Sequence, residues 1–178
     1  MADILPEKWM KGVAITTTCL AVMTAIAAAR GAACGARGQL LTAIEGSKWA
    51  YYQAKSIKQN LAESQKTAFE VGVIGAANDA HRAAYADKIK AAAQEIGRYD
   101  SEKNAIKKEA EETGALNRLL AGKGNFFSSS VVFFQIAIML SSVSALIKKR
   151  YLWFIGLAFG AVATVLLGYG LFLKPLLF

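Results

Sequence analysis

The chain has 178 residues, 54% of them hydrophobic, and carries 21 Lys and Arg against 13 Asp and Glu for a formal charge of +8. It is too short for a large transporter bundle and too apolar for a free soluble domain, so one helical membrane unit is the expectation. Nor does the charge point to nucleic acid: residues 30–125 hold 15 basic against 11 acidic side chains, and the rest of the excess lies on Lys8, Lys11, Lys148, Lys149, Arg150 and Lys174, offset by Asp3 and Glu7. Anchoring at membrane borders accounts for that distribution better than phosphate binding does.

The first apolar run covers 12–29 and follows Lys8 and Lys11. Its outline also fits a signal peptide ending in the small residues Ala27 to Ala29, but it reads as a membrane anchor. A lipoprotein reading of Gly31-Ala32-Ala33-Cys34 is weaker, because Gly31 stands where an aliphatic side chain is expected and Arg30 interrupts the apolar lead. Cys19 and Cys34 would lie about 22 Å apart on a helix, too far for a disulfide, and neither belongs to a CxxC or His/Cys cluster. Both read as small packing residues, with no metal site.

The stretch 30–38 contains Gly31, Gly35 and Gly38, and predicts a flexible neck or kink. From Leu40 onward, apolar and small residues recur at Leu40, Ala43, Ser47, Ala50, Ala54, Ile57, Leu61, Ser64, Ala68 and Val71, an unbroken 3-4 spacing that predicts a coiled-coil seam with closely approaching backbones. Gly72 to Asp79 predicts a turn, with Asn78 or Asp79 capping the helix that follows. A second seam runs through Tyr85, Ile89, Ala92, Ile96, Tyr99, Lys103, Ile106, Ala110 and Thr113. The two helices would form an extramembrane hairpin over 31–125, reaching about 50 Å at 1.5 Å per residue. Charged pairs such as Lys107 with Glu111 and Asp100 with Lys103 mark solvated outer faces. Gly114 and the Gly122-Lys123-Gly124 stretch predict a bend where the chain returns to the membrane.

Two apolar segments follow, 126–147 and 151–173, joined only by Lys148-Lys149-Arg150; at 22 and 23 residues, and with no ionisable side chain in either, each can cross a hydrocarbon core of about 30 Å. The fold class is therefore all-α, three membrane helices with a long helical hairpin between the first and second. Segment 1–30 holds the anchor and first span. Small residues repeat at every fourth position, Gly156, Gly160, Thr164 and Gly168 in the last span and Ala137, Ser141 and Ala145 in the second, which predicts helix-packing faces. Gln135, an amide within the second span, predicts an interhelical hydrogen bond.

Little of the chain looks catalytic. His81, the one histidine, stands near the turn without a second ligand at helical spacing, and reads as a solvated residue. The glycine-rich stretches fit neither a phosphate loop nor a dinucleotide fingerprint, and Glu111 and Glu112 lie on a charged helix surface where water screens them. The spans lack the ionisable residues on which pumps and ion-coupled transporters depend.

The most distinctive run is Trp49-Ala50-Tyr51-Tyr52-Gln53-Ala54-Lys55-Ser56-Ile57-Lys58-Gln59, aromatic on one side and basic on the other. Trp49, Tyr51, Tyr52, Ala54, Ile57 and Leu61 are candidates for a hairpin seam or docking face. In this run and in its layout, the chain resembles a family of small bacterial inner-membrane proteins known only as a domain of unknown function. Its members carry a similar Trp-Ala-Tyr-Tyr-Gln-Ala-Lys-Ser-Ile-Lys sequence after an N-terminal span and end in two closely spaced membrane helices. The resemblance implies a bacterial inner-membrane location and no particular activity.

The functional expectation is a non-enzymatic structural, scaffolding or accessory subunit of a membrane complex, partnered by the bilayer and by itself or other subunits, with no cofactor. The alternative is a membrane sensor or transducer that relays a change through the hairpin. The basic link and Lys8/Lys11 favour the cytoplasmic side, which puts the hairpin outside; Arg30, Arg37, Arg118 and Lys123 oppose that orientation.

Overall fold

The computed structural model describes residues 8–76 and 78–172. The first seven residues, Ala77 within the expected turn and Leu173 at the end of the last span lie outside them. The described chain forms three α-helices, α1 (Lys8–Ile74), α2 (Asp79–Ile147) and α3 (Arg150–Phe172). Each contains a stretch long and apolar enough to cross a membrane.

Two expected interruptions are absent. Residues 30–38 are helical throughout, although a glycine inside a helix costs about 1 kcal/mol relative to alanine. A Cβ on Gly31 would make an ordinary contact with the Phe127 side chain, at 3.5 Å, and one on Gly35 would meet nothing within 4 Å. No break in helix falls at Gly114 or Gly122–Gly124 either, because α2 is helical from Asp79 to Ile147. Gly114 is buried and leaves room for the Glu45 carboxylate, whose Oε1 lies 2.6 Å from where a Cβ would be.

The turn falls where expected. α1 stops at Ile74, Ala76 N–H donates to the Val73 carbonyl at 3.3 Å, and α2 begins at Asp79. Asn78 is the cap: its Oδ1 accepts from the His81 N–H at 2.9 Å, which satisfies one of the donors that the first helical turn leaves free. Asp79 then places a carboxylate in the first turn, against the positive end of the helix dipole.

α2 ends in a Schellman motif. Lys148 adopts φ 53°, the left-handed conformation usually taken by glycine after a helix, and the Lys149 N–H donates back to the Ser144 carbonyl at 3.2 Å. The Ser144 hydroxyl donates to the Lys149 carbonyl at 2.8 Å, and α3 starts at the next residue.

The chain divides into two compact units, unit 1 comprising Met1–Gln39 with Arg118–Phe178, and unit 2 comprising Leu40–Asn117. In unit 1 the core is Ala27, Phe127, Phe134, Ala163 and Leu167, with Leu20, Met23, Cys34, Val131 and Phe133 packed on it. In unit 2 the two helices run antiparallel, pairing Thr42 with Asn117, Lys55 with Glu102 and Phe69 with Tyr85.

Candidate interaction faces

Within unit 2, the second expected seam is the observed one. Tyr85, Ile89, Ala92, Ile96, Tyr99, Lys103, Ile106, Ala110 and Thr113 are all buried or half-buried, while their neighbours other than Glu102 and Gly114 are exposed. The first expected seam is not the contact face. Leu40, Ala43, Ser47, Ala50, Ala54, Ile57, Leu61, Ser64, Ala68 and Val71 are all exposed. The line that α1 turns toward α2 runs through Leu41, Glu45, Lys48, Tyr52, Lys55, Gln59, Ala62, Lys66, Phe69 and Val73. Its spacing is also 3-4, and its positions follow those of the apolar line by one and two residues alternately. An offset averaging about one and a half residues turns a helix by about 150°, so the apolar line occupies the far side.

Polar groups drive this choice. Lys55 Nζ meets Glu102 Oε2 at 2.5 Å and lies 5.2 Å from the centre of the Tyr51 ring and 5.5 Å from that of Tyr99. The hydrogen bond to Glu102 raises the Lys55 pKa above its ordinary value, against an opposing effect of burial, and the same bond holds the Glu102 carboxyl below its own. One turn away, Lys103 Nζ donates to Gln59 Oε1 at 2.9 Å and sits over the Tyr52 ring at 5.3 Å. Lys48 Nζ reaches Glu109 at 3.3 Å and donates to Thr113 Oγ1 at 3.2 Å. Near the turn, Lys88 lies 5.5 Å over Phe69.

The Trp49–Gln59 run is thereby accounted for in part. Trp49 and Tyr52 contact each other edge to face at 5.7 Å, and Tyr52, Lys55 and Gln59 meet α2. Tyr51, Ala54, Ile57 and Leu61 are turned outward, which separates the candidates of that run onto two sides of one helix. Lys48, Lys55 and Gln59 of α1, with Glu102 and Glu109 of α2, were missed as contact residues. The signal was present: Glu102 and Glu109 are spaced by seven residues, as Lys48 and Lys55 are. His81 is exposed, and among the described residues no group of three or more His, Cys, Asp or Glu could hold a metal ion.

In unit 1 the structure brings together Ala137, Ser141, Gly156 and Gly160. A Cβ on Gly156 would stand 3.0 Å from the Ala137 carbonyl oxygen and 3.0 Å from Ser141 Oγ, so α2 and α3 touch nearly backbone to backbone. Gly160 faces Leu20 of α1, where a Cβ would lie 2.9 Å from Cδ2. Thr164 is exposed and donates to its own Gly160 carbonyl at 2.8 Å, and nothing approaches Gly168 within 4 Å. The every-fourth stripe drifts because four residues advance a helix by about 400°, about 40° beyond a full turn. The buried face instead continues through Ala163, Leu167 and Gly170, the last against the Phe127 ring. Ala145 is half-buried at its edge.

Of two further polar side chains of this unit, the second is placed against expectation. Trp153 Nε1 donates to Thr16 Oγ1 at 3.1 Å, tying α3 to α1. Gln135, expected between helices, is exposed, on an outward line with Ser128, Val132, Met139 and Ser142. Cys19 and Cys34 are both free thiols.

No curated protein and no solved structure matches this chain. The model of the family described as Domain of unknown function (DUF4337) matches residues 9–173, which take in all three helices from Trp9 to Phe172, and the chain belongs to that family.

Proposed function

We propose that this protein is a non-catalytic structural or accessory subunit of an oligomeric membrane complex, with one span in each of its three helices and assembly through helix-helix packing. The observation that carries this reading is the outward line on the second apolar segment. Ser128, Gln135 and Ser142 recur there every seven residues, and all are exposed. Hydrocarbon offers a glutamine amide neither donor nor acceptor, so such a side chain favours a neighbouring helix that supplies both. Ser142 already donates to its own Ile138 carbonyl at 2.9 Å, which leaves Gln135 as the principal polar group of the line.

Native electrophoresis of gently solubilised protein tests it. Gln135→Leu keeps the segment apolar and insertable, and should shift the protein from a high-mass complex to a smaller species. Undiminished complex size and abundance would refute the reading. Orientation rests on the basic link and Lys11, which favour the cytoplasmic side of a bacterial inner membrane and an external unit 2. Cysteine at Ser101 should then react with an impermeant thiol reagent in intact cells, whereas one at Lys149 should not.

A further inference from the structure

We propose that the outward apolar line of α1 within unit 2 is where a second copy of this chain docks, α1 against α1, parallel and in register. The observation is an exposed face of unusual regularity. Leu40 is 61% exposed, Ile57 68%, Leu61 59% and Val71 63%, and these four share one line with six exposed small residues at an unbroken 3-4 spacing from 40 to 71. α2 cannot cover them, because it packs on the opposite side of the helix.

The pattern selects a helix as the occupant. A 3.5-residue repeat keeps one line of side chains against a partner helix along its whole length, a requirement that neither lipid nor a globular surface imposes. A lipid surface would also favour basic residues along the rim of the face. Here the rim is almost uncharged: Gly46, Gln53, Asn60 and Thr67 border one side, and Ile44, Tyr51, Lys58, Gln65 and Gly72 the other. Of the seven charged residues in 40–71, Glu45, Lys48, Lys55 and Lys66 lie on the α2 side and Glu63 and Glu70 lie clear of the rim, leaving Lys58.

The same composition selects a second copy. In a parallel pair, each residue of one rim meets the residue five positions later on the other chain's opposite rim, which sets Gln53 beside Lys58 and Asn60 beside Gln65. No like charges oppose, and both contacts can hydrogen-bond. The ten seam positions with nine on the rims total 19 residues a side, close to the roughly 20 to 30 of a standard stable interface. The direction rests on the function proposed above: copies inserted in one bilayer in the same sense run α1 in the same direction. The self-contact and its residues rest on unit 2 alone.

Disulfide cross-linking of the full chain in its own membrane tests the proposal, in a background with Cys19→Ser and Cys34→Ala. Single cysteines at Ser47, Ile57, Leu61 and Val71 should each give a disulfide-linked dimer, with little at the exposed control positions Glu63 and Lys108. Self-cross-linking at both Ser47 and Val71 requires a parallel, in-register pair. Cross-links confined to Ile57 would indicate an antiparallel pair and overturn the proposal, as would adducts to a different polypeptide or none at all. Ile57→Asp lies on an exposed face, so helix content by circular dichroism should stay at wild type while cross-linking at Leu61 falls to the control level; cross-linking that survives would overturn the proposal. Loss of seam cross-links with a Gln135-dependent complex intact sinks this inference and spares the function. Seam dimers that persist while Gln135→Leu changes nothing do the reverse.

Discussion

Replacing Gly156 by alanine measures how tightly α2 and α3 are held together. The new Cβ would stand 3.0 Å from the Ala137 carbonyl oxygen, 3.0 Å from Ser141 Oγ and 3.4 Å from Leu140 Cβ. A carbonyl in an unbroken helix cannot swing aside as a side-chain tip does, so the two helices must separate by a few tenths of an ångström. Overpacking of this kind costs about 1–3 kcal/mol. The exchange also gains about 1 kcal/mol of helix propensity, which would mask part of the loss. Gly168→Ala isolates that gain, since nothing lies within 4 Å of its Cβ position. The difference between the variants should therefore approach the overpacking cost alone, about 1–3 kcal/mol with Gly156→Ala the weaker. Unfolding of purified protein from mild detergent into a denaturing one, followed by Trp fluorescence, reads the difference. Trp153 reports on the region directly, because its ring packs 3.4 Å from the Cβ position of Gly12 and bonds to Thr16. Two alanine variants of equal stability would refute the close approach.

Lys148→Gly should stabilise the α2–α3 pair, since a left-handed conformation costs an L-residue about 1–2 kcal/mol that glycine avoids; the same unfolding assay checks it, and a destabilised variant would mean the lysine side chain is itself needed. The Lys55–Glu102 pair gives unit 2 a pH window. Glu102, lowered from 4.5, contributes stability that is present above that value and lost as pH falls through its lower native one; Lys55, raised from 10.5, contributes below that value and loses it as pH rises through its higher native one. Glu102→Gln should flatten the acid limb in a series of circular-dichroism melts, and an acid limb as steep as wild type would exclude this pair as its source.

Much of the architecture is legible in the sequence because the signals are strong. Long apolar segments without charge, a Gly-Asn-Asp cluster between periodic stretches, and Tyr85 to Thr113 at heptad spacing each have one physical solution. The phase of α1 was not legible in the same way. Two lines of 3-4 spacing occupy opposite sides of that helix, and hydrophobicity alone favours the apolar one. The helix pair instead closes on Lys55 with Glu102, Lys48 with Glu109 and Lys103 with Gln59, contacts whose partners lie 44 to 61 residues apart in sequence. The glycines of the neck and of the membrane return misled for a related reason: composition suggests flexibility, yet Gly31 and Gly35 lie within α1 and Gly114 lies within α2, where it makes room for the Glu45 carboxylate. Of the small-residue stripes, the part nearest the α2–α3 contact was readable, and the part beyond Gly160 was lost to the angular drift of a four-residue step.

The way unit 2 closes has a thermodynamic consequence. Its buried apolar residues among those described are Ala62, Ala92 and Ala110, side chains with little surface to withdraw from water. Half-buried Ile89, Ile96, Tyr99 and Ile106 add apolar contact, ion pairs, cation-ring contacts and hydrogen bonds supply the rest, and exposed ion pairs weaken as salt rises. A helix pair whose buried apolar residues are alanines should open more readily than one with a leucine-rich seam. Whatever binds only the closed form adds its own binding free energy to that of closure. On the self-contact proposed above, the melting temperature of the segment should rise with protein concentration and fall with ionic strength, so a dilute, high-salt preparation should show it loosest.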